Sequence, residues 1–126
     1  MSPSWVEYLR HILEEAEYLE AQSQNLYIED FLDDDTLQRA FVRSMEIIGE
    51  ATKKLPDQVK QEYADVDWRA VAGMRDKLIH DYFGVDYEIV WDVVVTRIPV
   101  LKETVERMIV AFVAASAGDD ETGPVE

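Results

Sequence analysis

Apolar residues recur at intervals of three and four along most of this chain, and this spacing limits the fold more than any other feature of the sequence. A helix gathers such residues on one face, whereas a half-buried strand needs apolar and polar residues to alternate. Alternation of that kind is confined to the run 93–95, which fits the helical pattern equally well. The spacing therefore predicts an all-α protein.

The first half of the chain contains two helical segments separated by acidic residues. Apolar spacing predicts one helix within residues 5–27 and a second that ends before Pro56. Between them, Asp33-Asp34-Asp35-Thr36 has the composition of a turn and an N-cap. Gly49 lies inside the second helix, where the missing side chain would allow a neighbouring helix to approach closely.

The second half of the chain predicts two further helices. The third follows a connector with a short helical turn, begins at a cap provided by Asp65 or Asp67, and runs to Gly84. The fourth must kink or break near Pro99, because proline lacks the backbone donor and crowds the preceding turn. The whole pattern predicts an up-and-down bundle of four main helices.

Length and composition predict one domain over residues 1–117 followed by an acidic, disordered tail over residues 118–126. The start of the chain has no basic segment followed by an apolar run, and no stretch approaches the roughly 18 apolar residues of a membrane span. We therefore expect a cytoplasmic protein.

Several kinds of site are excluded by residue content. The chain has no cysteine and two histidines, so we expect no metal site, and it has no glycine-rich phosphate loop. The net charge of −15 disfavours broad affinity for nucleic acid. The excess acid is in the flanks, however, because residues 36–82 carry eight acidic and eight basic residues.

The segment 74–84 concentrates the residues most suited to chemistry, which are Arg75, His80 and Tyr82. On a helix Arg75 and Tyr82 share a face, and His80 lies about 140° round from Arg75. The three groups could meet in one cleft near the helix end. The spacing alone favours a structural role, since His80 could stabilise a helix C-terminus and Arg75 could pair with Asp76, Glu50 or a residue of another helix.

The order of several segments resembles the HepT-type toxins of the HEPN superfamily, over roughly residues 5–112. The resemblance rests on the following segments: Ile47-Ile48-Gly49-Glu50-Ala51, Trp68, the Arg-x-x-x-x-His-x-Tyr pattern at Arg75, His80 and Tyr82, and Val85-Asp86-Tyr87-Glu88-Ile89-Val90-Trp91. It implies a HEPN-like homodimer that cleaves RNA without a metal or other cofactor and acts as the toxin of a type VII-like toxin–antitoxin pair.

The resemblance also implies a role for each motif residue. Arg75 would bind the scissile phosphate and His80 would transfer protons, so both are the expected catalytic residues. Tyr82 would be AMPylated, with ATP as the donor, by an MntA-type minimal nucleotidyltransferase antitoxin, and the adenylate would block the cleft. Apart from the resemblance, Glu50 is a candidate supporting residue, because the close helix approach that Gly49 allows would let Glu50 orient Arg75.

Asp76 departs from the family pattern, which often has asparagine at this position. Its carboxylate would weaken phosphate binding by repulsion, or would help to orient Arg75. The alternative to a nuclease is a non-catalytic helical dimer that binds and modulates a nucleotidyltransferase partner.

Overall fold

A computed structural model describes residues 3–78 and 84–122, with the backbone but not the side chains of Arg75, Leu78 and residues 116–122. The described residues form eight helices and no β-strand. Their bounds are α1 Val6–Ser23, α2 Ile28–Leu32, α3 Asp35–Lys53, α4 Asp57–Glu62, α5 Trp68–Ala72, α6 Met74–Leu78, α7 Tyr87–Thr96 and α8 Ile98–Thr122. The predicted all-α bundle is confirmed.

The four predicted helices correspond to α1, α3, the pair α5–α6 and the pair α7–α8. The third is divided at Gly73, whose N–H donates to the carbonyls of Arg69 and Val71. The fourth is divided at Arg97, two residues before Pro99. Proline then occupies the first turn of α8, where no intrahelical donor is required, so the predicted interruption near Pro99 is confirmed.

The core lies where α1 packs against α3 and α8 and where α7 packs against α8. Side chains from every long helix contribute to it, and the following are fully buried: Leu9, Ile12, Leu19, Phe41, Met45, Ile48, Val90, Val105 and Met108. This burial of apolar side chains stabilises helices that would be only marginally stable in isolation.

Helix α2 is the element that the spacing did not predict, because five residues are too few to show a period. It is stabilised by tertiary contacts, since Phe31 is fully buried 4.9 Å from the Phe41 ring and 5.4 Å from the Trp91 ring. Gln38 Nε2 donates to the carbonyls of Phe31 and Leu32 at the end of the helix, at 3.0 and 2.9 Å.

Three helices begin at an aspartate that serves as the N-cap. The Asp34 carboxylate accepts from the Leu37 N–H, Asp67 accepts from Ala70, and Asp86 accepts from the first turn of α7. The N-cap expected in the cluster 33–36 is therefore confirmed, and Asp67 rather than Asp65 caps the third helix. Asp65 instead accepts from Arg107 at 2.6 Å and ties the α4–α5 connection to α8.

Polar contacts also join α1 to its neighbours. Ser44 Oγ donates to the Glu15 carboxylate at 2.8 Å, and Lys102 Nζ donates to the Glu20 carboxylate at 2.9 Å. The Glu20 hydrogen bond and charge raise the pKa of Lys102 above its ordinary value. These contacts link α1 to α3 and to α8.

Helix α8 continues to Thr122, so the tail predicted from residue 118 begins inside a described helix. Residues 123–126 lie outside the described residues. The division at residue 117 stays a prediction.

Two buried threonines allow a test of polar burial. Thr52 is fully buried and its Oγ1 has no hydrogen-bond partner among the described residues, whereas the buried Thr104 Oγ1 donates to Asp65 at 3.2 Å. We expect Thr52→Val to raise the free energy of unfolding by about 1 kcal/mol, because it removes an unsatisfied hydroxyl. Thr104→Val should lower it. Urea denaturation of both variants measures the difference, and a loss of stability in Thr52→Val would contradict the assignment.

Candidate active site on the motif helix

The helix that carries Arg75 is α6, and its neighbours hold it against the bundle. Trp68 in α5 is buried and its Nε1 donates to the Tyr63 carbonyl at 2.9 Å. Met74, at the start of α6, is also buried in the core. Arg75 therefore comes directly after a residue whose side chain is packed in the apolar core.

The approach of α3 to this region depends on Gly49. A Cβ at this position would lie 3.3 Å from the Ala72 carbonyl oxygen and 3.5 Å from that of Val71. Only a glycine leaves the backbone of α5 at this distance without displacement, so the predicted close approach of a neighbouring helix is confirmed. The contact lies three residues before Arg75 and sets where α6 begins.

The remaining motif residues are not part of the described structure. His80 and Tyr82 lie outside the described residues, and of Arg75 only the backbone is described. Their meeting in one cleft stays a prediction. Gly84, which follows the motif, has φ of +84°, a left-handed conformation that favours glycine and turns the chain towards α7.

Glu50 was expected to orient Arg75, and the structure shows a different contact for it. Its side chain is 69% exposed, and its carboxylate lies 3.3 Å from Lys53 Nζ, one turn along α3. Arg39 forms a similar pair with Asp35 at 3.4 Å. Arg39 and Lys53 thus form ion pairs along α3, while a role of Glu50 towards Arg75 stays a prediction.

Asp76 lies on the exposed side of α6, and its N–H donates to the Gly73 carbonyl. Its side chain has no ion-pair partner among the residues that the structure describes. The carboxylate is therefore open to solvent next to Arg75 in the sequence.

Sequence reasoning missed a groove of about 640 Å³ that lies between α5–α6 and the junction of α7 and α8. Helix α6 contributes Met74 and Lys77 to it, so the groove follows the helix that carries Arg75. The sequence feature that could have indicated this groove is the spacing of Ile89, Val93 and Val100. This spacing keeps apolar residues on one face of α7 and the start of α8.

Two kinds of feature are absent from the described part of the chain. No group of three or more metal-ligating side chains comes together there. Across the same residues, no helix combines the length and apolar character needed to cross a bilayer.

Comparison with known proteins gives a family for this architecture. A family model described as ribonuclease HepT-like matches residues 12–108, from the first turns of α1 into α8. The chain belongs to the HepT-like ribonuclease family. The matched interval contains the positions of Arg75, His80 and Tyr82 and stops before the acidic C-terminal residues.

Members of the HepT-like family from bacteria and archaea resemble the chain over most of their length. A protein of Caldanaerobacter subterraneus subsp. tengcongensis, named as a candidate RNase, is 49% identical over 102 residues, which cover 81% of this chain and 91% of the relative. A probable ribonuclease HepT of Thermococcus cleftensis is 44% identical over 108 residues, or 86% and 98% of the two chains. No solved structure matches the chain.

Proposed function

We propose that this protein is a metal-independent endoribonuclease and the toxin of a type VII-like toxin–antitoxin pair. The proposal is carried by the HepT-like family match over residues 12–108, an interval that includes the whole Arg75–His80–Tyr82 pattern. The names of the relatives, which refer to RNase activity, agree with it.

The reaction needs only the groups that the motif supplies. The ribose 2′-oxygen attacks the adjacent phosphorus, the bond from phosphorus to the 5′-oxygen breaks, and the products are a 2′,3′-cyclic phosphate and a 5′-hydroxyl. Arg75, with a planar and permanently charged guanidinium, binds the phosphate and stabilises the charge that develops on its oxygens. His80 takes the proton from the 2′-hydroxyl and returns one to the leaving oxygen, a role suited to a group that titrates near neutrality.

Regulation acts through Tyr82 in this proposal. A minimal nucleotidyltransferase antitoxin transfers AMP from ATP to the tyrosine hydroxyl and releases pyrophosphate. The adenylate is bulky and anionic, so it fills the cleft and repels the RNA backbone. The active form is a homodimer in which the motifs of two subunits border one composite cleft.

The nuclease is tested with unmodified protein, verified by mass spectrometry, and RNA in excess EDTA. We expect EDTA-resistant cleavage that leaves cyclic phosphate ends and that falls on the order of 10²- to 10³-fold in Arg75→Ala and His80→Ala. The controls are Arg39→Ala and His11→Ala, which remove an exposed arginine of α3 and the other, exposed histidine, on α1.

If the wild type cuts no more than the two motif variants across several RNAs, the nuclease proposal is wrong. The non-catalytic dimer that binds a nucleotidyltransferase then becomes the function to test. Cleavage that survives in His80→Ala but not in Arg75→Ala would refute the proton-transfer role alone.

The exposed Asp76 carboxylate should slow the reaction by repelling the substrate phosphate. We expect Asp76→Asn to raise kcat/KM by about two- to fivefold at low ionic strength, and the gain should shrink as salt is added. Glu14→Gln removes the same charge from an exposed position on α1 and serves as the control. A fall in kcat/KM in Asp76→Asn would show instead that the carboxylate supports Arg75.

Modification of Tyr82 is tested by incubating the protein with ATP and its nucleotidyltransferase. We expect the mass to increase by adenylate, RNA cleavage to fall in parallel, and Tyr82→Phe to gain no adenylate at that position. The matched control is Tyr27→Phe, which alters a tyrosine that is 77% exposed and should leave modification unchanged. Peptide mapping that finds adenylate elsewhere in both variants would overturn the assignment.

A further inference from the structure

The groove beside α6 combines a buried apolar floor with an exposed apolar rim. Its volume of about 640 Å³ is in the range of pockets that hold small organic molecules. Met74, Ile98 and Leu101 are buried and form the floor. Ile89 and Val100 line the rim and are 39% and 46% exposed. A flat nucleobase that entered the groove would remove this apolar surface from water.

Two basic side chains of the groove have no acidic partner. Lys77 of α6 and Arg97 at the end of α7 are exposed, and neither forms an ion pair with the residues that the structure describes. Acidic residues outnumber basic ones by 27 to 12, and six other basic side chains in the described ranges do pair with carboxylates. The two groove cations are therefore available to an anionic ligand.

The acids that line the groove leave these charges only partly compensated. Asp65 binds Arg107 at 2.6 Å, and Asp67 accepts from the Ala70 N–H as the cap of α5. The third acid, Asp92, is exposed, and within the described structure its carboxylate has no hydrogen-bond or ion-pair partner. The groove thus presents two unpaired cations and one unpaired carboxylate.

A guanine nucleotide matches this set of groups. Its phosphate is an anion that guanidinium and ammonium groups both bind. A carboxylate can accept two hydrogen bonds side by side, and guanine is the standard RNA base whose Watson–Crick edge presents two neighbouring donors, N1–H and the exocyclic amino group. Asp92 comes one turn after Ile89 on α7, so its carboxylate lies beside the apolar rim where a base would enter.

We propose that the groove beside α6 is a subsite for one guanine nucleotide of single-stranded RNA, in which Lys77 and Arg97 bind the phosphate and Asp92 accepts from the base. The inference rests on the ribonuclease of the proposed function and adds the residue that determines its base preference. RNA is the occupant because the groove follows the motif helix and offers cations to its backbone. Positions 75 and 77 are on opposite sides of α6, which is about 10 Å wide, so this nucleotide lies outside the cleaved bond.

The two cations are tested with an oligonucleotide that cannot be cut. A fluorescein-labelled, single-stranded 2′-O-methyl oligouridine with one guanosine has no attacking hydroxyl, and fluorescence anisotropy gives its Kd with the unmodified full chain. We expect Lys77→Ala and Arg97→Ala each to raise this Kd about three- to tenfold at low salt and to reduce its salt dependence, since each removes a phosphate contact. Lys54→Ala and Arg43→Ala remove exposed bases outside the groove and should leave the Kd unchanged.

The base preference is tested by replacing the guanosine with inosine, which lacks the exocyclic amino group. We expect the wild type to bind the guanosine oligonucleotide about fivefold more tightly than the inosine one, because one hydrogen bond to a carboxylate is lost. Asp92→Asn should lose this preference, since an amide oxygen and an amide N–H cannot accept from two donors. Glu88→Gln removes an exposed acid of the same helix outside the groove and should keep it.

A protein partner is the other occupant that an apolar rim could accept, and a third pair of variants separates the two. Val100→Asp places a carboxylate on the rim, whereas Val110→Asp makes the same change on α8 at a residue that is 68% exposed and outside the groove. Helical circular dichroism should be unchanged in both. We expect only Val100→Asp to weaken binding of the oligonucleotide. If sedimentation equilibrium shows that it changes the oligomeric state while RNA affinity is unchanged, the groove is a protein contact and the subsite is overturned.

The outcomes distinguish the subsite from the nuclease. Groove variants that bind the uncut oligonucleotide as tightly as the wild type, or a wild type that does not bind it, overturn the subsite whether or not RNA is cut. Weakened binding in the groove variants supports the subsite even if natural RNA is not cleaved, in which case the nuclease proposal alone is wrong. If RNA is cleaved, Lys77→Ala should raise KM and keep kcat within about twofold of the wild type, whereas Arg75→Ala should lose kcat.

Discussion

The packing of α3 against α5 at Gly49 is the contact on which the position of the candidate site depends. A Cβ at Gly49 would lie 3.3 Å from the Ala72 carbonyl oxygen, which is tighter than an ordinary contact, so the backbone of α5 would have to move by a few tenths of an ångström to admit a side chain. Phe41, Met45 and Ile48 of the same helix are fully buried in the core. The motif helix begins two residues after Ala72, so the packing of α3 in the core and its contact with α5 together position the start of α6.

Charge is arranged so that an acidic protein can still present a cationic site. The acids of α1 and of the α2–α3 connection are used as caps, as helix-linking groups or as solvated residues, and two of them, Glu15 and Glu20, bond to other helices. The middle of the chain, with balanced charge, contains the motif. In the proposed nuclease, Arg75 would bind a phosphate while the acidic exterior discourages non-specific association with nucleic acid.

The described part of the candidate site is small. Helix α6 has five residues and offers few groups to a substrate, and the groove beside it exposes apolar surface that a single chain leaves in water. In the proposed homodimer, a composite cleft would receive groups from both subunits.

Local pattern in the sequence was sufficient for the helices themselves. Apolar spacing indicated α1 and α3, and Pro99 indicated the break before α8. The succession of sequence segments around Arg75, His80 and Tyr82 indicated the family. Each of these signals is contained in residues that are close together in the chain. Tertiary structure alone decided the rest. The five-residue α2 exists because Phe31 is buried between rings from α3 and α7, Asp65 binds Arg107 instead of capping a helix, and Glu50 pairs with Lys53. The groove arises only when α5, α6, α7 and α8 meet, and no local period encodes a contact between residues that are distant in the chain.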